Sequence, residues 1–154
     1  MSNKELSKII DNLDSVFRGD AWHGPSLMEF LNGLKATEVT KKREFTKYSI
    51  AQYVFHLVAW REFLIQKLEG NFKFDLTTEE ENWGNKSEVE EGNWQNLILN
   101  LKEKQAKIIE LLEKTDDSIL QKRVPGYDYD YYKLLTGFIQ HDTFHLGMIW
   151  VVWE

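Results

Sequence analysis

The chain has 154 residues, a formal net charge of -6 at pH 7 and no cysteine. An acidic surface repels phosphate groups, so we expect neither nucleic acid nor an anionic membrane as a partner. The lack of cysteine excludes disulfides, thiolate zinc sites and a cysteine nucleophile. The first residues lack the basic and apolar regions of a signal peptide, and no apolar run is long enough to cross a bilayer. We therefore expect a cytoplasmic protein with one domain over residues 1–154.

Apolar residues recur at helical spacing through the first third of the chain. The pattern predicts a long helix over about residues 4–17. A turn rich in small residues follows, and Pro25 and Ser26 then open a short helix that runs to about Leu34. Residues 35–48 are polar, and we expect them to form a connection.

The second long helix is predicted to start near Ser49, which matches a capping box with Gln52, and to end near Gly70. Residues 71–92 are acidic and irregular. A connection of that length is uncommon in a small domain and often has a function. Three aromatic residues are expected to hold it against the body of the protein: Phe72, Phe74 and Trp83.

Two further long helices complete the prediction. Asn93 is expected to cap the third long helix, and the fourth runs over about residues 131–153. The apolar residues 150–153 can pack in the core or against a partner, and the core is the simpler expectation. No alternation of strand length competes with this pattern, so the sequence predicts an all-α fold, a four-helix bundle.

His141 and His145 are the most informative pair of residues. Positions four apart leave a helix on the same side, so both imidazoles can bind one metal ion. They fall within an apolar stripe of the fourth long helix, where an imidazole needs a partner. Two interpretations remain open at this point: a metal-binding pair, or two core histidines that bond to backbone or hydroxyl groups.

His56 is the one histidine of the second long helix, where its neighbours are mostly aromatic. It can be a core residue, or it can join the pair on the other helix. Three imidazoles would leave a coordination position open for water or substrate, as in catalytic zinc sites. Spacing alone does not show that the two helix faces meet.

The carboxylates give weaker signals. Asp142 and Glu62 each point away from the neighbouring histidine, so we expect surface charges or contacts to an adjacent subunit. Asp128 and Asp130 precede the last helix and can line a pocket, although a helix cap is the simpler role for Asp130. Neither an HExxH motif nor a pair of ExxH motifs is present, which argues against zincin proteases and di-iron bundles.

Three segments together resemble the DinB-like (YfiT-related) superfamily: residues 20–27, 51–62 and 137–148. The most specific of them is the Gln-His-x-x-x-His-x-Gly element that starts at Gln140. The resemblance implies a four-helix bundle in which one histidine of the second long helix and two of the last bind a divalent metal. Carried over, the ligands are His56, His141 and His145. Zinc, nickel and iron-class ions all suit imidazole, so the ligand set does not choose among them.

The resemblance also implies a function. Relatives include transferases and isomerases that use low-molecular-weight thiols, and metal-dependent hydrolases; many of them are homodimers. A metal ion would lower the pKa of a bound water or thiol next to a small-molecule electrophile. The alternative is a non-catalytic metal-binding or stress-response bundle, and a bundle without metal is a third. The candidate pocket residues are His23, Trp22, Gln52, Trp60, Tyr127 and Tyr129.

Overall fold

Six α-helices make up the protein in this computed structural model, which describes residues 2–154. They are α1 (Lys4–Arg18), α2 (Leu27–Leu31), α3 (Ile50–Leu68), α4 (Glu79–Trp83), α5 (Trp94–Glu113) and α6 (Tyr131–Trp153). Short 3-10 segments at Ala36–Glu38, Glu91–Asn93 and Asp117–Gln121 connect some of them. Extended pairing within the described residues is limited to an isolated bridge between Arg123 and Asp130. The predicted all-α fold is confirmed.

The four long helices, α1, α3, α5 and α6, form the bundle. Helix α3 packs most extensively against α5, and α1 packs against α6. The buried side chains form two apolar clusters, one around the first half of α3 and the end of α6, the other around α1, the second half of α3 and the start of α6. In residues 2–154, no helix has both the length and the apolar character needed to cross a membrane.

The helix starts follow the predicted caps in most cases. Ser49 and Gln52 form a complete capping box, with Ser49 N–H donating to Gln52 Oε1 at 3.0 Å. Asp130 caps α6 by accepting from the backbone N–H of Lys133 at 2.9 Å. Helix α5 begins after Asn93 as expected, but the Asn93 side chain makes no cap bond.

Helix α2 is shorter than the sequence predicted, and it starts later. Helix α2 ends at Leu31 rather than Leu34, and Pro25 precedes the N-cap residue Ser26 instead of occupying the first turn. Residues 71–93 contain α4, which packs on α3. Of the three aromatic residues expected to hold this segment, Phe74 and Trp83 pack on the core clusters, whereas Phe72 is 70% exposed.

The prediction that the apolar C-terminal residues enter the core is wrong for most of them. Val152 is buried, but Trp150, Val151 and Trp153 are 39%, 41% and 46% exposed. The last turn of α6 presents only one side to the bundle, and Trp150, Val151 and Trp153 lie on its other side. The two tryptophan rings pack on Phe30 instead, with ring centroids 4.9 and 5.7 Å away.

The prediction of surface charges is also wrong for Asp142, whereas Glu62 lies partly at the surface. Asp142 is 1% exposed and forms an ion pair with Arg61, whose side chain is fully buried. Glu62 is partly buried and pairs with Lys104 of α5 at 2.5 Å. Both carboxylates do point away from the histidines, but the side to which they point is another helix, which helical geometry alone does not reveal.

Candidate metal centre

Three histidines from two helices converge between the apolar clusters. His56 lies on α3, while His141 and His145 lie one turn apart on α6. One ring nitrogen from each residue can be chosen such that all three lie within 4.8 Å of one another. Among residues 2–154 this is the one group of three histidine or acidic side chains with such geometry, and it contains no carboxylate.

A backbone carbonyl of the α4 segment orients the ring of His56. His56 Nδ1 is 3.1 Å from the carbonyl oxygen of Asn82. Because a carbonyl can only accept, Nδ1 carries the hydrogen and Nε2 keeps its lone pair. That Nε2 faces Nε2 of His141 at 3.1 Å. A carbonyl bond of this kind fixes the tautomer in which the free nitrogen can bind a metal ion.

Aromatic rings enclose the same histidine. Trp83 stacks on His56, with centroids 4.0 Å apart and planes 3° from parallel. Tyr48 stacks on Trp83 at 3.6 Å, and Trp60 donates its indole N–H to Asn82 Oδ1 at 3.1 Å. Helix α4 therefore covers one side of the centre and excludes water there.

Sequence reasoning identified Trp83 only as an anchor of the segment and did not single out Asn82 or Tyr48. Helical spacing on α3 could not place Asn82 and Trp83 on His56, because both belong to α4, at least 26 residues further along the chain. Tyr48 precedes α3 and reaches the centre only through Trp83, on which it stacks. Tyr53 lies one turn before His56 on α3, so helical spacing predicts that the two residues share a face. In the structure the ring of Tyr53 also lies 5.5 Å from that of His145.

Burial lowers the pKa values of the three imidazoles. His56 and His145 are 7% and 8% exposed, and His141 is the most accessible of the three. Desolvation, followed by the neighbouring histidines, lowers the pKa of His56 from 6.5 to about 3. Desolvation, His145 and the Arg61 guanidinium lower the pKa of His141 to about 3 as well. The pKa of His145 is lowered by burial too, so all three rings are neutral at pH 7.

The donor set fits a divalent transition metal. Neutral imidazole is the form that binds metal, and two ligands of one tetrahedral zinc ion lie about 3.3–3.4 Å apart when each bond is about 2.0–2.1 Å. The 3.1 Å between the Nε2 atoms of His56 and His141 is slightly shorter, so a small rotation of either ring brings the pair to that spacing. In addition, Nδ1 of His141 and Nδ1 of His145 are buried without a hydrogen-bond partner in the described residues. Each of these two rings therefore has one buried nitrogen that no described residue of the protein satisfies.

The other sequence candidates divide into two groups. Trp60 lies beside the centre, 5.8 Å from the ring of His141. Tyr127 and Tyr129 pack on each other and lie further from the histidines than Trp60 does. Phe63 lies between them, in contact with Trp60 on one side and Tyr127 on the other. These residues extend an aromatic wall from the histidines toward the start of α6.

Three of the predicted pocket residues do not lie in this aromatic wall. The Gln52 side chain is engaged in the capping box of α3. Trp22 is fully exposed, and His23 is exposed with its Nε2 3.0 Å from the carbonyl oxygen of Pro25. Asp128 forms an exposed ion pair with Arg123, so it does not approach the histidines either.

The fold and the centre define a class of protein: a helical bundle with a three-histidine candidate metal site between two of its long helices. The family model of the DinB superfamily matches residues 21–149 of the sequence. That range includes His56, His141 and His145 and most of the bundle. The chain belongs to the DinB superfamily. No curated protein and no solved structure gave a significant match.

Proposed function

We propose that the protein binds one divalent metal ion through His56, His141 and His145 and uses it for chemistry on a small molecule. The observation that carries this proposal is the convergence of three neutral imidazoles, two of them with nitrogens 3.1 Å apart, in a buried setting without a carboxylate. Membership of the DinB superfamily and the three-histidine group are compatible with a metal-binding protein.

The reaction class that we propose is thiol transfer or hydrolysis. A divalent ion on three neutral ligands keeps its positive charge, lowers the pKa of a coordinated water or thiol and polarises a nearby electrophile. The chain has no cysteine, so a sulfur nucleophile has to come from a cosubstrate. Low-molecular-weight thiols are the cosubstrate class that the family resemblance suggests.

The residues of this chain supply orientation and exclusion of water. The Asn82 carbonyl holds His56 in the metal-binding tautomer, and Trp83 shields one face of that ring. Burial keeps the imidazoles unprotonated well below neutral pH, so protons compete weakly for their lone pairs. We propose that substrate approaches past His141, the most exposed ligand, along the aromatic side chain of Trp60.

Elemental analysis tests the metal site directly. Untagged protein purified without chelators is expected to contain about one divalent metal ion per chain. The variants His56→Ala, His141→Ala and His145→Ala are each expected to lose most of it. His23→Ala is the matched control, because this fourth histidine is exposed and lies outside the group. Wild-type protein that is metal-free and takes up neither zinc, nickel nor iron would contradict the proposal.

A non-catalytic metal site is the second candidate, and the enclosure of the centre favours it. His56 and His145 are almost fully buried, and Trp83 lies flat on His56. A structural ion binds only the folded state, so chelation would lower the melting temperature strongly. Turnover of thiol-transfer or hydrolysis substrates by the metal-loaded protein, lost in folded His145→Ala, would support the enzyme instead.

A further inference from the structure

A buried polar layer crosses the bundle beside the three histidines. Arg61 of α3 and Asp142 of α6 form a two-pronged ion pair, with Nη1 to Oδ1 at 3.0 Å and Nη2 to Oδ2 at 2.5 Å. Their side chains are 0% and 1% exposed. This pair lies between the two apolar clusters of the core, whose members precede and follow it on both helices.

The layer reaches all four long helices. Arg61 Nε donates to Gln105 Oε1 of α5 at 3.1 Å, and Gln105 Nε2 donates to the carbonyl oxygen of Leu13 of α1 at 3.5 Å. The rings of Phe17 and Phe138 flank the guanidinium, 5.2 and 5.4 Å from its carbon. These hydrogen bonds and ring contacts together hold the guanidinium in its orientation.

The ion pair and the metal ligands share the same two helices. Asp142 directly follows His141 and precedes His145 by one turn, while Arg61 follows His56 by five residues. The backbones of α3 and α6 approach each other closely over a shorter length than those of α3 and α5. Side chains span the space between α3 and α6, and the ion pair is the most directional of the contacts that they make.

Stability alone does not account for this pair. Removing two charges from water is costly, and well-packed apolar residues of similar volume can often replace a buried ion pair without loss of stability. A two-pronged arginine–carboxylate contact differs from apolar packing because it specifies direction as well as distance. Metal sites need that precision, since ligands have to be held within about 0.5 Å of their productive positions.

We infer that Arg61 and Asp142 are positioning residues for the metal centre: their ion pair, supported by Gln105, holds α3 and α6 in the arrangement in which the three imidazoles converge. This inference rests on the proposed metal site. Arg61, Asp142 and Gln105 do not belong to the three-histidine group, so they act on the metal site only through the positions of the helices.

Cobalt(II) is the probe for the test, because its visible absorption reports the geometry of the ligands as well as the affinity. Metal-free wild-type protein is titrated beside Asp142→Asn, which keeps the shape of the side chain and removes its charge. We expect about ten- to hundredfold weaker cobalt binding in the variant, as for other residues that orient metal ligands. We also expect a shifted or weakened absorption band.

Glu62→Gln is the matched control. It makes the same kind of change at the residue next to Arg61 and breaks the ion pair with Lys104. That pair joins α3 to α5 and does not involve α6, so the affinity and the cobalt spectrum are expected to stay as in the wild type. An equal effect of Glu62→Gln and Asp142→Asn would overturn the inference, because general destabilisation would then explain both.

The double variant Arg61→Met with Asp142→Leu separates positioning from folding. Apolar replacement is expected to keep the bundle folded, while cobalt binding remains weak and its spectrum altered. Gln105→Leu, which leaves the ion pair in place, gives a milder third measurement and is expected to weaken binding measurably. Wild-type affinity and spectrum in the folded variants would overturn the inference. Failure of the wild type itself to bind cobalt would instead overturn the proposed function.

Discussion

At the scale of single residues, burial determines the chemistry of the histidines. An imidazole in water titrates near pH 6.5 and spends part of its time protonated at neutral pH. In this bundle desolvation lowers the pKa of His56 and His141 to about 3. His56 and His141 thus stay unprotonated near neutral pH and can bind a metal ion, whereas the exposed His23 forms a hydrogen bond with the carbonyl oxygen of Pro25 in its own loop.

The lowered pKa values predict an acid-sensitive metal-free protein. Between pH 6.5 and about pH 3 the unfolded chain binds protons at His56 and His141 that the folded chain does not bind. Stability is therefore fully present above pH 6.5 and is lost as the pH falls through this window, by at most about 1.4 kcal/mol per pH unit for each histidine. Denaturant unfolding of chelator-treated protein at several pH values measures the slope.

Two variants make this measurement specific. Replacing His56 and His141 together by glutamine is expected to flatten the dependence of unfolding free energy on pH between 6.5 and 4. His23→Gln is expected to leave it as in the wild type. An unchanged slope in the double variant would show that other groups cause the acid sensitivity.

At the scale of elements, the centre depends on how α4 is held against α3. Gly84 ends α4 with φ of 79°, a conformation that L side chains rarely adopt. A Cβ atom there would lie 2.8 Å from Val89 Cγ1 and 3.0 Å from Phe55 Cγ. The absence of a side chain therefore lets α4 approach closely enough for Asn82 and Trp83 to reach His56.

Gly84→Ala is expected to destabilise the protein by about 2–4 kcal/mol, because strained backbone and a steric clash add together. Gly70→Ala is the control: its φ is +85° but its Cβ would meet nothing within 4 Å, so only the backbone cost of about 1–2 kcal/mol applies. Unfolding in denaturant measures both variants. Equal losses in the two would mean that the contacts of Gly84 relax freely and do not hold α4.

At the scale of the whole molecule, the exposed C-terminal surface is the feature that one chain does not explain. Trp150, Val151 and Trp153 leave apolar surface in solvent on a chain whose net charge is -6. The family resemblance suggests a homodimer, and we propose that this surface faces a second copy. Cytoplasmic location remains a prediction from the sequence.

Light scattering after size exclusion tests the dimer. The expected mass is twice the 18.3 kDa of one chain. Val151→Glu puts a carboxylate on the proposed interface at a side chain that is already 41% exposed, so folding is expected to survive while the mass falls to that of one chain. A wild-type mass of one chain, or a Val151→Glu variant that remains dimeric, would contradict the proposal.

Local sequence patterns were sufficient to predict the four long helices, the caps at Ser49 and Asp130, and the shared side of His141 and His145 on their helix. These depend on neighbours within a few residues, so local spacing contains the information. The family resemblance selected His56 as their partner, which spacing alone left open.

Tertiary structure, by contrast, sets which side chains come into contact. It buried Asp142 against Arg61, placed Asn82 and Trp83 on His56, and left Trp22 in solvent. Each of these outcomes depends on how one helix is rotated and spaced relative to another. That arrangement results from packing among residues far apart in the chain, and helical periodicity records only which side of its own helix a residue occupies.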